Sequence, residues 1–205
     1  MKKITFLYFL IFAFAVSVNA QDGKSVLKKM QSKIKSADGF SSEFVQSFVN
    51  EQGKTTQNLK GKFVYANDDK FVVDLKNQKI VSDGKTVWNY NKTQKKVIIN
   101  NADDDPSAFS IKRYLFTYPE YCSISSIKDP KFVNSIKLNP KNNDLEFSEV
   151  IIYADENYQI KKIYIIDTQN NKYLLELTKV SILEKVDSST FKVDIPKGTK
   201  TIDLR

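Results

Sequence analysis

The fold class is decided by the stretch VSDGKTVWNYN, which occupies residues 81–91. β-Branched and aromatic residues flank an Asp-Gly pair, a composition typical of a tight turn between two antiparallel strands. In the second of these strands Trp88 and Tyr90 share one face, because successive side chains in a strand point to opposite sides. The stretch therefore predicts a β-hairpin with an aromatic face.

The same alternation of apolar and polar residues recurs along most of the chain. We expect a first strand with Phe40, Phe44 and Phe48 on one face, and a turn at 50–53. Further strands are predicted around Phe63 and Tyr65, around Phe71, Val73 and Leu75, and at 97–99, 121–127, 132–138, 145–154, 159–167, 172–183 and 191–195. About ten antiparallel strands at this spacing indicate one mainly β domain, a barrel or a sandwich.

Two segments have helical periodicity instead. Leu27, Met30 and Ile34 share one face of a predicted amphipathic helix over 23–37, which we expect to end in a left-handed turn at Gly39. The segment 106–116, beginning at a proline, is apolar around most of its circumference. Such a broad apolar surface is unusual for a helix on the surface of a small domain.

The amino terminus is typical of a secretory signal peptide. Lys2 and Lys3 precede an apolar run over 4–18, and small residues at Val18 and Ala20 mark a cleavage site. The alternative is a membrane anchor, but the run is shorter than the roughly 20 residues a span requires. We expect residues 1–20 to be removed, leaving a soluble domain of 21–205. The new terminus is glutamine and not cysteine, so we expect the mature chain to carry no lipid.

The composition argues against catalysis and against nucleic-acid binding. The chain has no histidine, and this excludes catalytic dyads of serine or cysteine with histidine as well as zinc sites built on histidine. It has one cysteine, Cys122. We expect Cys122 to be a small buried residue, and we expect no enzyme activity, cofactor or metal site. The net charge of +8 comes from lysines interspersed with acidic residues, as on a solvated surface, and predicts no nucleic-acid partner.

Several stretches, taken in order, resemble the outer-membrane lipoprotein carrier family, the LolA proteins. The hairpin 81–91 resembles the strand-turn-strand stretch of that family. The other matching residues lie on both sides of it: Gly39, Phe40, Phe44, Gln46, Gly61, Lys62, Phe63, Phe71, Val186, Asp187, Phe191, Val193, Pro196, Lys197 and Gly198. The resemblance therefore extends over almost all of 21–205.

The resemblance implies a fold and a function. The fold is a curved antiparallel sheet, an incomplete or half barrel, closed by α-helices that act as a lid. The function is that of a periplasmic chaperone, which receives triacylated lipoproteins from an inner-membrane lipoprotein-releasing ABC transporter and delivers them to an outer-membrane acceptor. We expect a monomer. The alternative is a related periplasmic module of the same fold that binds lipid or glycolipid, or acts as a sensor.

Candidate site residues follow from combining the alternation with the resemblance. The residues expected to line an acyl-chain cavity are Phe63, Tyr65, Phe71, Val73, Leu75, Trp88 and Tyr90. Those expected in the lid are Leu27, Met30, Ile34, Ile111 and Leu115. The alternative is that all of them are ordinary core residues, since apolar side chains on one face of a sheet usually are.

One position departs from the family pattern. Members often carry an Arg-Pro pair in the loop before Phe71, and the resemblance implies that this arginine holds the lid shut. Here Asn67 and Asp68 occupy the loop, and Lys70 is the nearest cation. A lysine ammonium lacks the planar set of donors of a guanidinium. We therefore expect lid closure to depend mainly on apolar contacts, or on Asn and Asp.

Overall fold

The first element is the amphipathic helix α1 (Gly23–Lys35). The Asp22 carboxylate caps it by accepting a hydrogen bond from the Lys24 N–H at 3.3 Å. Its apolar face buries Val26, Leu27 and Met30. The helix predicted from the periodicity is confirmed. The computed structural model describes residues 22–50, 52–102 and 113–205, so the predicted signal peptide lies outside the described residues. No helix within these three ranges is long and apolar enough to cross a membrane.

The described residues contain twelve strands. They are β1 (Gly39–Val49), β2 (Thr55–Ala66), β3 (Lys70–Leu75), β4 (Gln78–Asp83), β5 (Thr86–Asn91), β6 (Lys96–Asn101), β7 (Cys122–Ile127), β8 (Asn134–Pro140), β9 (Phe147–Ala154), β10 (Ile160–Asp167), β11 (Lys172–Leu183) and β12 (Lys200–Asp203). All belong to one open sheet in the order β12-β6-β5-β4-β3-β2-β1-β11-β10-β9-β8-β7. The mainly β fold is therefore confirmed, with two more strands than expected.

The chain ends differently from the prediction. The strand expected at 191–195 is absent: Ser188–Phe191 forms a single 3₁₀ turn, capped by the Asp187 carboxylate. The last strand, β12, lies beyond Pro196 and pairs in parallel with β6, whereas the strands around it are antiparallel. The alternation over the five residues 191–195 was too short a pattern to distinguish a strand from a turn.

Gly39 has a different role from the one predicted. It begins β1 and is not among the residues with positive φ, so helix α1 does not end in a left-handed glycine. A Cβ at position 39 would instead collide with the carbonyl oxygen of Tyr65 on β2. Glycine is required here because the two backbones approach closely. Gly84, with φ +96°, does form the predicted Asp-Gly turn between β4 and β5.

The second helical region ends later in the chain than predicted. The described part forms a π-helical turn at Arg113–Thr117 and a 3₁₀ turn at Tyr118–Tyr121, followed directly by β7. Together they make up the helical segment 113–121. The predicted helix ended at about Phe116, whereas the helical region continues to Tyr121, and Pro119 lies in the first turn of the 3₁₀ helix.

The two faces of the sheet carry separate apolar clusters. The main core covers one face and joins the sheet to α1 and to Leu115. We call this the concave face. The opposite, outer face carries a smaller cluster formed by Ala66, Val72, Val81 and Phe191. Cys122 is buried in the main core, as predicted, and burial raises the pKa of its thiol.

Candidate functional site

A cavity of about 690 Å³ lies on the concave face of the sheet. Its apolar lining comes from strands on both sides of β1 and from helical segment 113–121: Phe44, Leu59, Val73, Leu75, Ile80, Tyr114, Tyr118, Phe147, Ile163, Ile165 and Leu175. This volume lies within the range of roughly 300–1,000 Å³ typical of small-molecule sites. We refer to it as the concave cavity.

An aromatic group forms one wall of the concave cavity. The rings of Tyr114 and Tyr118 pack edge to face at 5.3 Å, and Tyr118 packs on Phe147 at 5.2 Å. Burial raises the pKa of the Tyr114 hydroxyl, so this tyrosine is neutral under physiological conditions. The wall therefore presents uncharged aromatic surface to a ligand.

Polar residues gather at one end of the concave cavity, where the strand-connecting turns β3–β4 and β10–β11 lie: Gln46, Gln78, Glu146, Asp167, Thr168, Gln169 and Tyr173. The Asp167 carboxylate accepts hydrogen bonds from the backbone N–H of Asn171 at 2.7 Å and of Gln169 at 2.9 Å. Burial alone would raise its pKa, but these bonds and those from the Asn171 and Tyr173 side chains hold the pKa below its ordinary value. This carboxylate thus stabilises the β10–β11 turn.

Five of the seven predicted cavity residues lie on the concave face. Val73 and Leu75 line the cavity itself. Phe63 is buried in the adjoining core. Tyr65 and Phe71 are partly buried and pack against the same core. Burial raises the pKa of Tyr65 to about 12, so its hydroxyl is also neutral.

The predictions for Trp88 and Tyr90 are wrong. Val73 pairs with Ile80, and Ile80 pairs with Asn89, so the residues of β5 that share the cavity's face are Val87 and Asn89. Trp88 and Tyr90 therefore face outward. Trp88 contributes to an outer cleft of about 400 Å³ with Phe191 and Val193.

The predicted lid residues on α1 face the sheet. Leu27 and Met30 are buried in the main core, and Ile34 is partly buried against it. Leu115, from helical segment 113–121, is fully buried in the same core. Ile111 lies outside the described residues. Helix α1 and this segment thus cover the concave face together.

Polar contacts also join α1 to helical segment 113–121. These contacts were not among the predictions from the sequence. Gln31 of α1 donates a hydrogen bond from its side-chain amide to the backbone carbonyl of Leu115 at 2.6 Å. The ammonium of Lys35 lies 5.0 Å from the centre of the Phe116 ring. Amphipathic periodicity indicates which residues face the core, but it does not indicate which polar residue at the boundary finds a partner.

The loop that departs from the family pattern contacts the end of α1 through an amide. The Asn67 side chain donates a hydrogen bond to the carbonyl of Ala37 at 3.3 Å. Lys70 instead pairs with Asp68 at 3.7 Å and lines the outer cleft. The lysine therefore lies on the opposite side of the sheet from the covering elements.

Much of the cavity wall was not among the predicted site residues. Ile163 and Ile165 of β10, and Leu175 of β11, form the half contributed by the later strands. Their alternation was visible in the sequence, but periodicity alone does not indicate which face of a strand borders a cavity.

The sequence is similar to those of known proteins. The family described as "Outer membrane lipoprotein carrier protein LolA" matches residues 35–194. The outer-membrane lipoprotein carrier protein of Actinobacillus pleuropneumoniae serotype 3 is 26% identical, covering 100% of this chain and 97% of its own. That of Francisella tularensis subsp. tularensis strain WY96-3418 is 25% identical, covering 99% and 98%.

A solved structure shares the fold. The crystal structure of an uncharacterized conserved protein from Thermus thermophilus superposes with a TM-score of 0.58 at 11% identity, covering 88% of this chain and 98% of that one. Since the family match spans well over half of the sequence, this chain belongs to the outer-membrane lipoprotein carrier family, LolA.

Proposed function

We propose that the chain binds the acyl chains of lipoproteins in the concave cavity and carries them through the periplasm. The observation that carries the proposal is a cavity of about 690 Å³, with aliphatic and aromatic side chains along most of its wall and polar residues at one end. Family membership specifies lipoproteins as the cargo. The main energetic contribution is burial: each methylene removed from water is worth about 0.8 kcal/mol, so a chain of about 16 carbons gains on the order of 10 kcal/mol.

In this proposal the sheet is a half barrel, and α1 together with helical segment 113–121 forms its lid. The closed lid buries Leu27, Met30 and Leu115, which a ligand would have to displace in part. Displacement lowers the net affinity, because the energy of opening is subtracted from the energy of binding. A carrier that releases its cargo without ATP needs such a moderated affinity.

The bond between Gln31 and Leu115 is the proposed latch of this lid. Replacing Gln31 with alanine leaves the buried carbonyl of Leu115 without its partner, which costs about 1–3 kcal/mol. We expect Gln31→Ala to increase binding of the apolar dye ANS several-fold in the absence of cargo. Lys28→Ala, at an exposed position on the same helix, is the matched control and should leave ANS fluorescence unchanged. Equal fluorescence of the two variants would show that this bond does not hold the lid.

The proposed transport route follows from membership of the lipoprotein carrier family. The carrier receives triacylated lipoproteins from an inner-membrane ABC transporter and passes them to an outer-membrane acceptor, acting as a monomer. It is a carrier and not a catalyst: the carboxylate of Asp167 at the rim is engaged in turn hydrogen bonds and is held ionised.

Delivery to the periplasm requires removal of residues 1–20. We expect the intact mass of the protein from a periplasmic extract to correspond to a chain beginning at Gln21, with no acyl group attached. A species that retains the first 20 residues would contradict this expectation.

Native mass spectrometry of the protein purified from periplasm tests the function itself. We expect a fraction of the molecules to carry one lipoprotein, identified by its mass after dissociation. Co-purification of glycolipid or phospholipid, with no lipoprotein, would instead support a lipid-binding module of the same fold.

A further inference from the structure

Ser42 is a buried polar residue on the concave face of β1. It is 5% exposed, and its hydroxyl has no hydrogen-bond partner among the described residues. Its side chain shares a face with Phe40 and Phe44, and its partner across β2 is Phe63. Ser42 therefore lies on the same face of the sheet as these three aromatic residues.

Other buried serines in the described part of the chain are paired. Ser47, on the opposite face of the same strand, donates to the Asn58 side chain at 2.8 Å. Ser82 donates to the carbonyl of Asp69 at 3.0 Å, and Ser135 donates to that of Phe132 at 2.6 Å. An unpaired buried hydroxyl is unfavourable, and Ser42 is the exception among the buried serines of the described residues.

The position of Ser42 relates it to the ligand site. Phe44, two residues along β1, lines the concave cavity, and Phe40, two residues in the other direction, lines a small apolar crevice of about 20 Å³ beside Ile34 and Ile182. Each of these steps along a strand is roughly 7 Å. A bulge in the β1–β11 pairing falls between Ser41 and Glu43. Ser42 therefore lies along β1 between residues that line the two openings, at a point where the sheet is irregular, and is not itself among the residues that line either opening.

We propose that the Ser42 hydroxyl donates a hydrogen bond to the carbonyl oxygen of the ester or amide linkage of a bound acyl chain. The inference rests on the proposed function. A carbonyl is the polar atom that an acyl group brings into an apolar cavity, and it can only accept, while a serine hydroxyl can donate. Binding would thus satisfy two groups that are otherwise unpaired in an apolar environment.

Two matched ligands distinguish the proposed hydrogen bond of Ser42 from apolar binding of the chain. They are 1-palmitoylglycerol, which has an ester carbonyl, and 1-O-hexadecylglycerol, an ether that lacks the carbonyl. Their affinities are measured by displacement of ANS from the full mature chain. We expect Ser42→Ala to weaken binding of the ester about three- to tenfold, the value of one hydrogen bond, and to leave the ether within a factor of two. Ser42→Thr, which keeps the hydroxyl, should retain the preference for the ester.

Ser47→Ala is the matched control, since it removes a buried hydroxyl from the other face of β1, and it should preserve the ester preference. Equal weakening of ester and ether by Ser42→Ala would overturn the proposal and indicate an effect on lid opening. Unchanged affinity for both would also overturn it. Failure of the wild type to bind either ligand would contradict the proposed function itself, and would be distinguished from the previous outcomes by the absence of displacement.

Discussion

Replacing Ile165 with glutamate is expected to abolish acyl-chain binding, with a loss of affinity of at least about 100-fold. Ile165 is half-buried and lines the concave cavity, close to the acidic rim residue Asp167. A bound acyl chain would desolvate the new carboxylate without offering a partner, at a cost of several kcal/mol. Titration with a fluorescent acylated peptide measures the loss directly.

The neighbouring residue supplies the control. Ile166 has the same side chain and is also half-buried, but it points to the other face of β10. We expect Ile166→Glu to bind the peptide within about threefold of wild type, since its side chain lies on the face of the sheet away from the cavity. If both glutamate variants bound equally well, the concave cavity would not be where acyl chains bind.

Truncation of Phe44 is expected to cause the largest loss of stability. Its side chain is 2% exposed and packs over Gly61 of β2, where a Cβ would lie 2.8 Å from the Phe44 ring. Phe44→Ala removes buried apolar surface and leaves a void, which together cost about 3–5 kcal/mol. Urea unfolding followed by circular dichroism measures the change in free energy.

Phe48→Ala is the matched comparison on the same face of β1. Phe48 is only half-buried and packs edge to face on Tyr173 at 5.4 Å. We expect Phe48→Ala to lower the free energy of unfolding by about 1 kcal/mol, the value of one partly exposed aromatic pair. Equal destabilisation by the two variants would mean that Phe44 does not belong to the structural centre of the main core.

The strands were predictable where alternation ran over six or more residues. The predicted strand at 172–183 matches β11 in both bounds, and the turn at Gly84 follows from its Asp-Gly pair. The short strand β12 was missed, because its four residues have little pattern and its stability comes from pairing with β6.

The face of a strand was harder to predict than its existence. Trp88 and Tyr90 were assigned to the cavity because they share one face of a strand in the hairpin that resembles the family. The register across β3, β4 and β5 places Trp88 and Tyr90 on the outer face of the sheet. This register depends on strand pairings that form only in the folded sheet. The contact of Gln31 with Leu115 is likewise tertiary, since 84 residues separate the two.

Binding of a triacylated lipoprotein peptide, compared with the same peptide without acyl groups, shows whether the protein recognises acyl chains. Native mass spectrometry of the mature chain mixed with each peptide gives the stoichiometry, and Ile165→Glu serves as the cavity-negative control. We expect a one-to-one complex with the acylated peptide, none with the unacylated peptide, and none with the variant. Equal binding of both peptides, or full binding by Ile165→Glu, would contradict an acyl-chain carrier that uses the concave cavity.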